Sequence, residues 1–207
     1  VKKRNLKNIE TVIPNTEIQV KIKYKNKSAD GAINAVGYEY GKISNTIPKE
    51  GKGVWFSKQD ETKELAIIGS NIAEKLFKNE NPLNKTISVN SKNIKVIGIA
   101  EKKGGGFSGG NLDDTVYVPL EVGFSLTGNR KIMSFIIKAK NKDEIDLIKK
   151  QTEKIMLKKF DKDAFSVVDQ SQILSSINSI LGTLTLAEKS ACAKQSAPPP
   201  EQYFFSF

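Results

Sequence analysis

The side chains that carry most biological catalysis are scarce in this 207-residue chain. It has no histidine, which removes Ser-His-Asp and Cys-His nucleophilic catalysis, His-ligated zinc and any imidazole pH switch. Its one cysteine, Cys192, can form neither an internal disulfide nor a thiolate-held zinc or iron-sulfur site, because each needs more than one thiolate. Gly104 to Gly109, GGGFSG, satisfies G-x-G-x-x-G after a strand-like run. A dinucleotide fingerprint also needs a helix opening at its third glycine, and here Asn111-Leu112-Asp113-Asp114 leads into another strand-like run. A flexible loop is the better reading, with Phe107, beside Gly105 and Gly106, available to a partner or a lipid.

Asp113-Asp114 offers too few oxygens for calcium and has no EF-hand spacing around it, so a turn cap is expected. No Walker A lysine is present, so the chain is not itself a P-loop ATPase, and no S-x-x-K sits at a recognisable catalytic helix start. Asn26-Lys27-Ser28 and Asn84-Lys85-Thr86 fit the glycosylation acceptor, but such three-residue matches arise by chance in an asparagine-rich chain. The residue types thus assign no catalytic, cofactor-binding or metal-binding residue.

Lys+Arg number 33 against 23 Asp+Glu, a net charge of +10. Arginine occurs only at Arg4 and Arg130, whereas base reading and phosphate forking favour its bidentate geometry. The lysines are scattered, so they read as a solvated face with a weak attraction to anionic headgroups and no nucleic-acid partner. Hydrophobic residues make up 38%, mean hydropathy is -0.37, and no run reaches the roughly 18 to 20 apolar residues that span a bilayer.

The elements that must position these residues follow from periodicity. A short helix is expected to end near Glu10, followed by a strand at Glu17–Tyr24, a turn over Lys25–Gly31 and a strand at Ile33–Tyr40. Trp55 and Phe56 read as adjacent strand residues pointing to opposite faces, core anchors unless Trp55 is exposed and contacts a partner. Glu64–Phe77 reads as strand, glycine and helix, with Ser70 as N-cap and Ile72, Ala73, Leu76 and Phe77 facing a core. Strands are expected at Thr86–Val89 and Asn93–Glu101 around a tight Asn90-Ser91 turn. The loop Lys102–Asp114, a strand at Thr115–Val118 and a helix from Pro119 come next. The last third reads β-α-β-α: strand Ile132–Lys140, helix from Asp143 to about Lys158, strand Ala164–Val168 and a helix opened by Asp169. From Ala187 periodicity stops, with Pro198-Pro199-Pro200 and an aromatic end, which suggests a non-native or disordered tail over 187–207. The chain starts at Val1 without the apolar core of a signal peptide, and reads as a piece of something longer.

Lys63 to Ala100, KELAIIGSNIAEKLFKNENPLNKTISVNSKNIKVIGIA, closely resembles the extracytoplasmic domain of MacB-type, FtsX-like ABC transporter permeases. The motif is carried by Ile68-Gly69, Leu76-Phe77, Asn81-Pro82-Leu83-Asn84-Lys85 and Val96-Ile97-Gly98-Ile99, with Gly53-Val54-Trp55-Phe56 before it and Tyr117-Val118-Pro119 after it. Asn84 replaces the family's usual glycine, and asparagine tolerates the left-handed backbone that the turn needs. The resemblance implies an α+β fold: a porter-like α/β layer formed by both chain ends, 1–49 and 129–186, with an inserted β-rich Sabre-like subdomain over 50–128. It implies a non-catalytic domain without cofactors on the extracytoplasmic side of the cell membrane, in the periplasm or at the outer surface. Its implied partners are an ABC ATPase domain or subunit reached through flanking transmembrane helices, a second copy in a homodimer, and a periplasmic adaptor or lipoprotein. Ile180–Leu186 would then begin the second transmembrane helix. The implied mechanism is mechanical, with the membrane-proximal helices and the Lys102–Asp114 loop as working parts. A lipoprotein-release relative of the same architecture, or a binding module or adaptor that regulates an envelope enzyme, is the alternative.

Overall fold

The computed structural model describes residues 8–44, 46–48, 51–104, 111–169 and 171, and the backbone of 204–206. It divides into two compact units, one formed by Val1–Val12 with Ser134–Phe207 and the other by Ile13–Met133. The boundaries differ from the expected divisions after residues 49 and 128, because the first hairpin pairs with the strands of the middle unit. That hairpin is β1 (Ile9–Tyr24) and β2 (Lys27–Val36). No helix ends at Glu10: Ile9, Thr11 and Ile13 are buried in alternation, the period-two pattern of a strand. The hairpin closes in two residues, Lys25 and Asn26, with Lys25 at φ +52°, a tighter turn than the sequence suggested. Tyr40 does not end a strand but begins the single-turn helix α1 (Tyr40–Ile43).

The unit of residues 13–133 is a closed sheet. Its further elements are β3 (Leu65–Ile68), α2 (Ser70–Phe77), β4 (Thr86–Val89), β5 (Lys92–Ile99), β6 (Thr115–Pro119) and α3 (Leu120–Thr127). β1 pairs antiparallel with β2, β2 parallel with β6, β6 antiparallel with β3, β3 parallel with β5, β5 antiparallel with β4, and β4 antiparallel with β1. Six strands therefore form a ring, which leaves no open edge around its circuit. One face carries Ile22, Ile33, Ile68, Ile87, Ile94, Val96, Val116 and Val118, packed in one core with Ile72, Leu76 and Phe77 of α2 and Val122 and Leu126 of α3. The opposite face of β2, β6 and β3 lies under an aromatic layer described below. The two ends of this unit are stapled together: Thr16 Oγ1 donates to the Lys131 carbonyl at 2.7 Å, and the Met133 N–H to the Asn15 carbonyl at 3.2 Å.

The other unit holds β7 (Ser134–Ala139), α4 (Ile145–Met156) and β8 (Ser166–Val167), the expected β-α-β. Ile137 of β7, Ile148 of α4 and Ile9 of β1 form its core, with Val12, Ala139, Ile145, Ile155 and Val167 packed against them. A last strand, β9 (Phe204–Ser206), pairs antiparallel with both β7 and β8, so this part of the expected tail is ordered as strand. Asp169 is buried against Lys149 Nζ at 3.4 Å. The helix expected after it lies, beyond Ser171, outside the described residues.

Candidate functional site: the clamped stem of the glycine-rich loop

The chain leaves β5 at Ile99 and returns at β6 through the loop whose glycines drew attention in the sequence. Its stem is fixed by one carboxylate. Asp113, 2% exposed, accepts the backbone N–H groups of Lys103 at 2.8 Å and Gly104 at 2.9 Å. Asn111 caps the 3₁₀ turn Leu112–Asp114 by accepting the Asp113 N–H at 3.0 Å, and the Leu112 N–H reaches the Gly104 carbonyl at 3.1 Å. A charged acceptor on two backbone donors is stronger than a neutral hydrogen bond, and burial makes its loss costly. Asp113 is therefore the turn cap that the sequence suggested, and among the described residues no group of three or more acidic or cysteine side chains could hold a metal ion.

Two neighbouring elements, α2 and α1, converge on this stem. Asp114 accepts Lys75 Nζ of α2 at 2.8 Å and Asn71 Nδ2 at 3.2 Å. Burial works to raise its pKa, but these two donors together hold it below the usual carboxylate range. Gly69, just before α2, lies so close to the Asp113 and Thr115 carbonyls that a Cβ there would collide with both. Gly69 is accordingly the N-cap of α2, and Ser70, the expected cap, is the first helical residue with its Oγ buried and unpartnered among the described residues. Lys103 Nζ donates to the Ser44 carbonyl beyond α1, and burial lowers its pKa against the raising influence of Glu101. Gly105, Gly106 and Phe107 lie outside the described residues.

The remaining motif residues build the fold that holds this stem. Leu76 and Phe77 fill the core. Asn81 Oδ1 accepts the Leu83 N–H at 3.0 Å, and the Lys85 N–H reaches the Pro82 carbonyl at 3.1 Å, which makes the turn into β4. Asn84 sits at φ +65° in that turn, as its substitution for glycine implied. Between Val96 and Gly98 the register with β3 shifts, leaving Ile97 as a bulge. Gly98 is thereby aligned with Ile67, and Gly53 bridges onto it. A side chain at Gly98 would strike the Val54 carbonyl at 2.7 Å. Pro119 ends β6 as the N-cap of α3.

Tyr117 and Trp55 belong to the aromatic layer. Tyr40, Trp55 and Tyr117 lie with ring centroids 5.6 to 6.3 Å apart, and Phe56 stacks on Trp55 at 4.7 Å. Trp55 and Phe56 are not in a strand and do not point to opposite faces; both rings join one cluster. The indole N–H of Trp55 donates to the Tyr38 carbonyl at 2.9 Å, which anchors the half-buried ring in this layer. On this face Glu17, Asn34, Tyr117 and Ile67 follow one another in cross-strand register. The Tyr117 hydroxyl and Asn34 Oδ1 are buried there without a partner among the described residues. Burial raises the pKa of Tyr117, pushes that of Tyr40 up to about 12, and raises that of Glu17.

Residues 1–155 match the family described as the MacB-like periplasmic core domain. The Macrolide export ATP-binding/permease protein MacB of Chlorobium luteolum is 30% identical over 173 residues, which cover 80% of this chain and 26% of that protein. A MacB protein of Yersinia pestis is 29% identical over 182 residues, 86% of this chain and again 26% of the relative. The chain thus spans about a quarter of the length of these curated relatives. Among solved structures, the periplasmic region of MacB from Actinobacillus actinomycetemcomitans superposes with a TM-score of 0.67 at 21% identity, covering 83% of this chain and 77% of that one. The extracellular domain of the noncanonic ABC-type transporter YknZ from Gram-positive bacteria gives a TM-score of 0.65 at 19% identity, covering 75% and 78%. The chain belongs to the MacB-like periplasmic core domain family, the extracytoplasmic part of a membrane-embedded ABC transporter permease. Its mixed architecture of closed sheet and flanking helices is the fold of that region.

Proposed function

We propose that this domain transmits motion: ATP binding and hydrolysis by a cytoplasmic ABC ATPase displace membrane helices joined to it, and the domain carries that displacement to a cargo or partner outside, in the direction of export. The observation that carries this reading is topological. Residues from both ends of the chain form one compact unit, and the closed sheet is an insertion whose two ends are hydrogen-bonded together. Force arriving along either end of the chain then acts on one packed body, as rigid-body transitions require. On this reading the unit of both ends corresponds to the porter-like layer and residues 13–133 to the Sabre-like insertion. The clamped loop with Phe107 is its contact for a partner such as an adaptor, and two copies work as a homodimer.

The test uses the full-length transporter with its ATPase in lipid nanodiscs, its own cysteines replaced by serine, and a nitroxide on Lys162→Cys. The spin-label distance between protomers is expected to change when ATP replaces ADP. An identical distance distribution in both nucleotide states overturns the mechanical role.

A further inference from the structure

α4 has two faces, and the fold accounts for one of them. Ile148, Thr152 and Met156 are buried in its own unit. Leu147, Lys150, Lys154 and Leu157 follow at i, i+3, i+7 and i+10, so they lie along one stripe turned away from that core. All four are exposed, Leu147 to 48% and Leu157 to 52%, and Phe160, on the turn closed by its N–H to the Met156 carbonyl, is exposed to 46%. From Leu147 to Phe160 five lysines stand against a single acid, Glu153. Lys149 is held by Asp169, whereas Lys150, Lys154, Lys158 and Lys159 make no ion pair among the described residues. Exposed acids stand at the two ends of the stripe, Asp143 and Asp146 before it and Asp161 and Asp163 after it.

We propose that this outer face of α4 is a docking surface for an anionic lipid bilayer. The chemistry is that of a helix lying in the interface: lysine heads reach phosphate oxygens while their stems and the flanking leucines enter the acyl boundary. An acidic protein would satisfy the lysines equally well. Leucines at both ends of a lysine stripe instead match a surface that is charged at one depth and apolar just below it. The chain is the extracytoplasmic domain of a membrane-embedded permease, so anionic headgroups are part of its surroundings. A contact of this kind would bias the orientation of the domain, and lipid composition would regulate it.

The experiment is flotation of the 207-residue protein with phosphatidylcholine vesicles, with and without phosphatidylglycerol. Binding is expected only with phosphatidylglycerol, weakening as salt is raised. Lys150→Gln, Lys154→Gln and Lys158→Gln are each expected to lower the partition coefficient about fivefold. Leu147→Ser and Leu157→Ser, tested separately and checked for unchanged thermal unfolding, are expected to lower it without altering net charge. Lys42→Gln, Lys58→Gln and Lys95→Gln, exposed lysines of the other unit, serve as controls expected to change it little. Equal losses in the controls, or no loss in either leucine variant, overturn the docking surface in favour of diffuse charge attraction. Failure to bind phosphatidylglycerol vesicles overturns it outright.

Discussion

At the scale of single residues, two side chains are in states that substitution can test. Asp113 ties two backbone donors while nearly excluded from water. Asp113→Asn keeps one acceptor oxygen but turns an amide donor toward the second N–H, so a loss of about 2 to 3 kcal/mol is expected by urea unfolding. Faster hydrogen exchange at Lys103 and Gly104 should accompany it, and an unchanged midpoint would mean the clamp is dispensable. Tyr117 is the opposite case, a hydroxyl buried at 0% exposure with no partner among the described residues. Removing an unsatisfied polar group relieves its desolvation, so Tyr117→Phe is expected to leave stability unchanged or raise it by up to about 1 kcal/mol. A clear loss would show that the hydroxyl holds a buried water.

Glu80 gives a pH dependence with a definite sign. Hydrogen bonds from Tyr24, Lys25 and Lys85 lower its pKa to about 2, from 4.5 for an unperturbed glutamate. A carboxylate whose folded pKa is depressed stabilises the fold above its unfolded value and loses that contribution as pH falls toward its folded one. The gap in stability between the wild type and Glu80→Gln should therefore be constant above pH about 4.5 and shrink steadily down to about 2. A gap that does not change over this window would place the stabilisation elsewhere. The site lies on the surface, and salt should diminish the effect.

At the scale of elements, Gly98 connects sequence to packing. The bulge at Ile97 turns the glycine under residues 51–54, where the Val54 N–H reaches the Ile97 carbonyl at 3.0 Å and the Ile99 N–H the Lys52 carbonyl at 2.8 Å. Gly98→Ala places a methyl group against the Val54 carbonyl and the Pro48 ring. An overpacking cost of about 1 to 3 kcal/mol is expected, with Val54 and Ile99 the first amides to exchange. The sequence showed the elements better than their junctions. Strands β4, β5 and β6, helices α2 and α4 and the Asn90-Ser91 turn are where alternation, helical spacing and turn residues place them, because each is a local preference. Trp55 was misplaced because two adjacent aromatics look like strand residues, whereas a hydrogen bond to Tyr38 seventeen positions away bends the segment into a layer. Ser70 has the residue type of a cap, and only the approach of Asp113, distant in sequence, shows why glycine must stand before it. The stem at Asp113 was visible as a turn, but its junction with α2 and α1 required the tertiary structure.

At the scale of the molecule, the ring of strands could not be read locally. Its closure depends on the parallel pairing of β2 with β6, whose partners such as Asn34 and Tyr117 lie some eighty positions apart. Such pairings close large loops before they are rewarded, so no window of sequence announces them. Every pairing of the ring and both stapling hydrogen bonds lie within residues 13–133. The other unit is built differently, because its β1 residues and β7 are joined through the entire insertion. If the insertion is unfolded, bringing Val12 to Ser134 costs about 2 kcal/mol more than closing a ten-residue connection. A fragment of residues 13–133 is therefore expected to unfold in one cooperative transition, with the amide protection that its strands show in the full chain. In the full chain, Thr16→Val, which removes one staple, should lower the protection of β7 and α4 together with that of the ring. Val12→Ala, within the other unit, should lower protection there and leave the ring unchanged. A fragment without cooperative unfolding, or ring amides that follow Val12→Ala, would show that the two units fold as one.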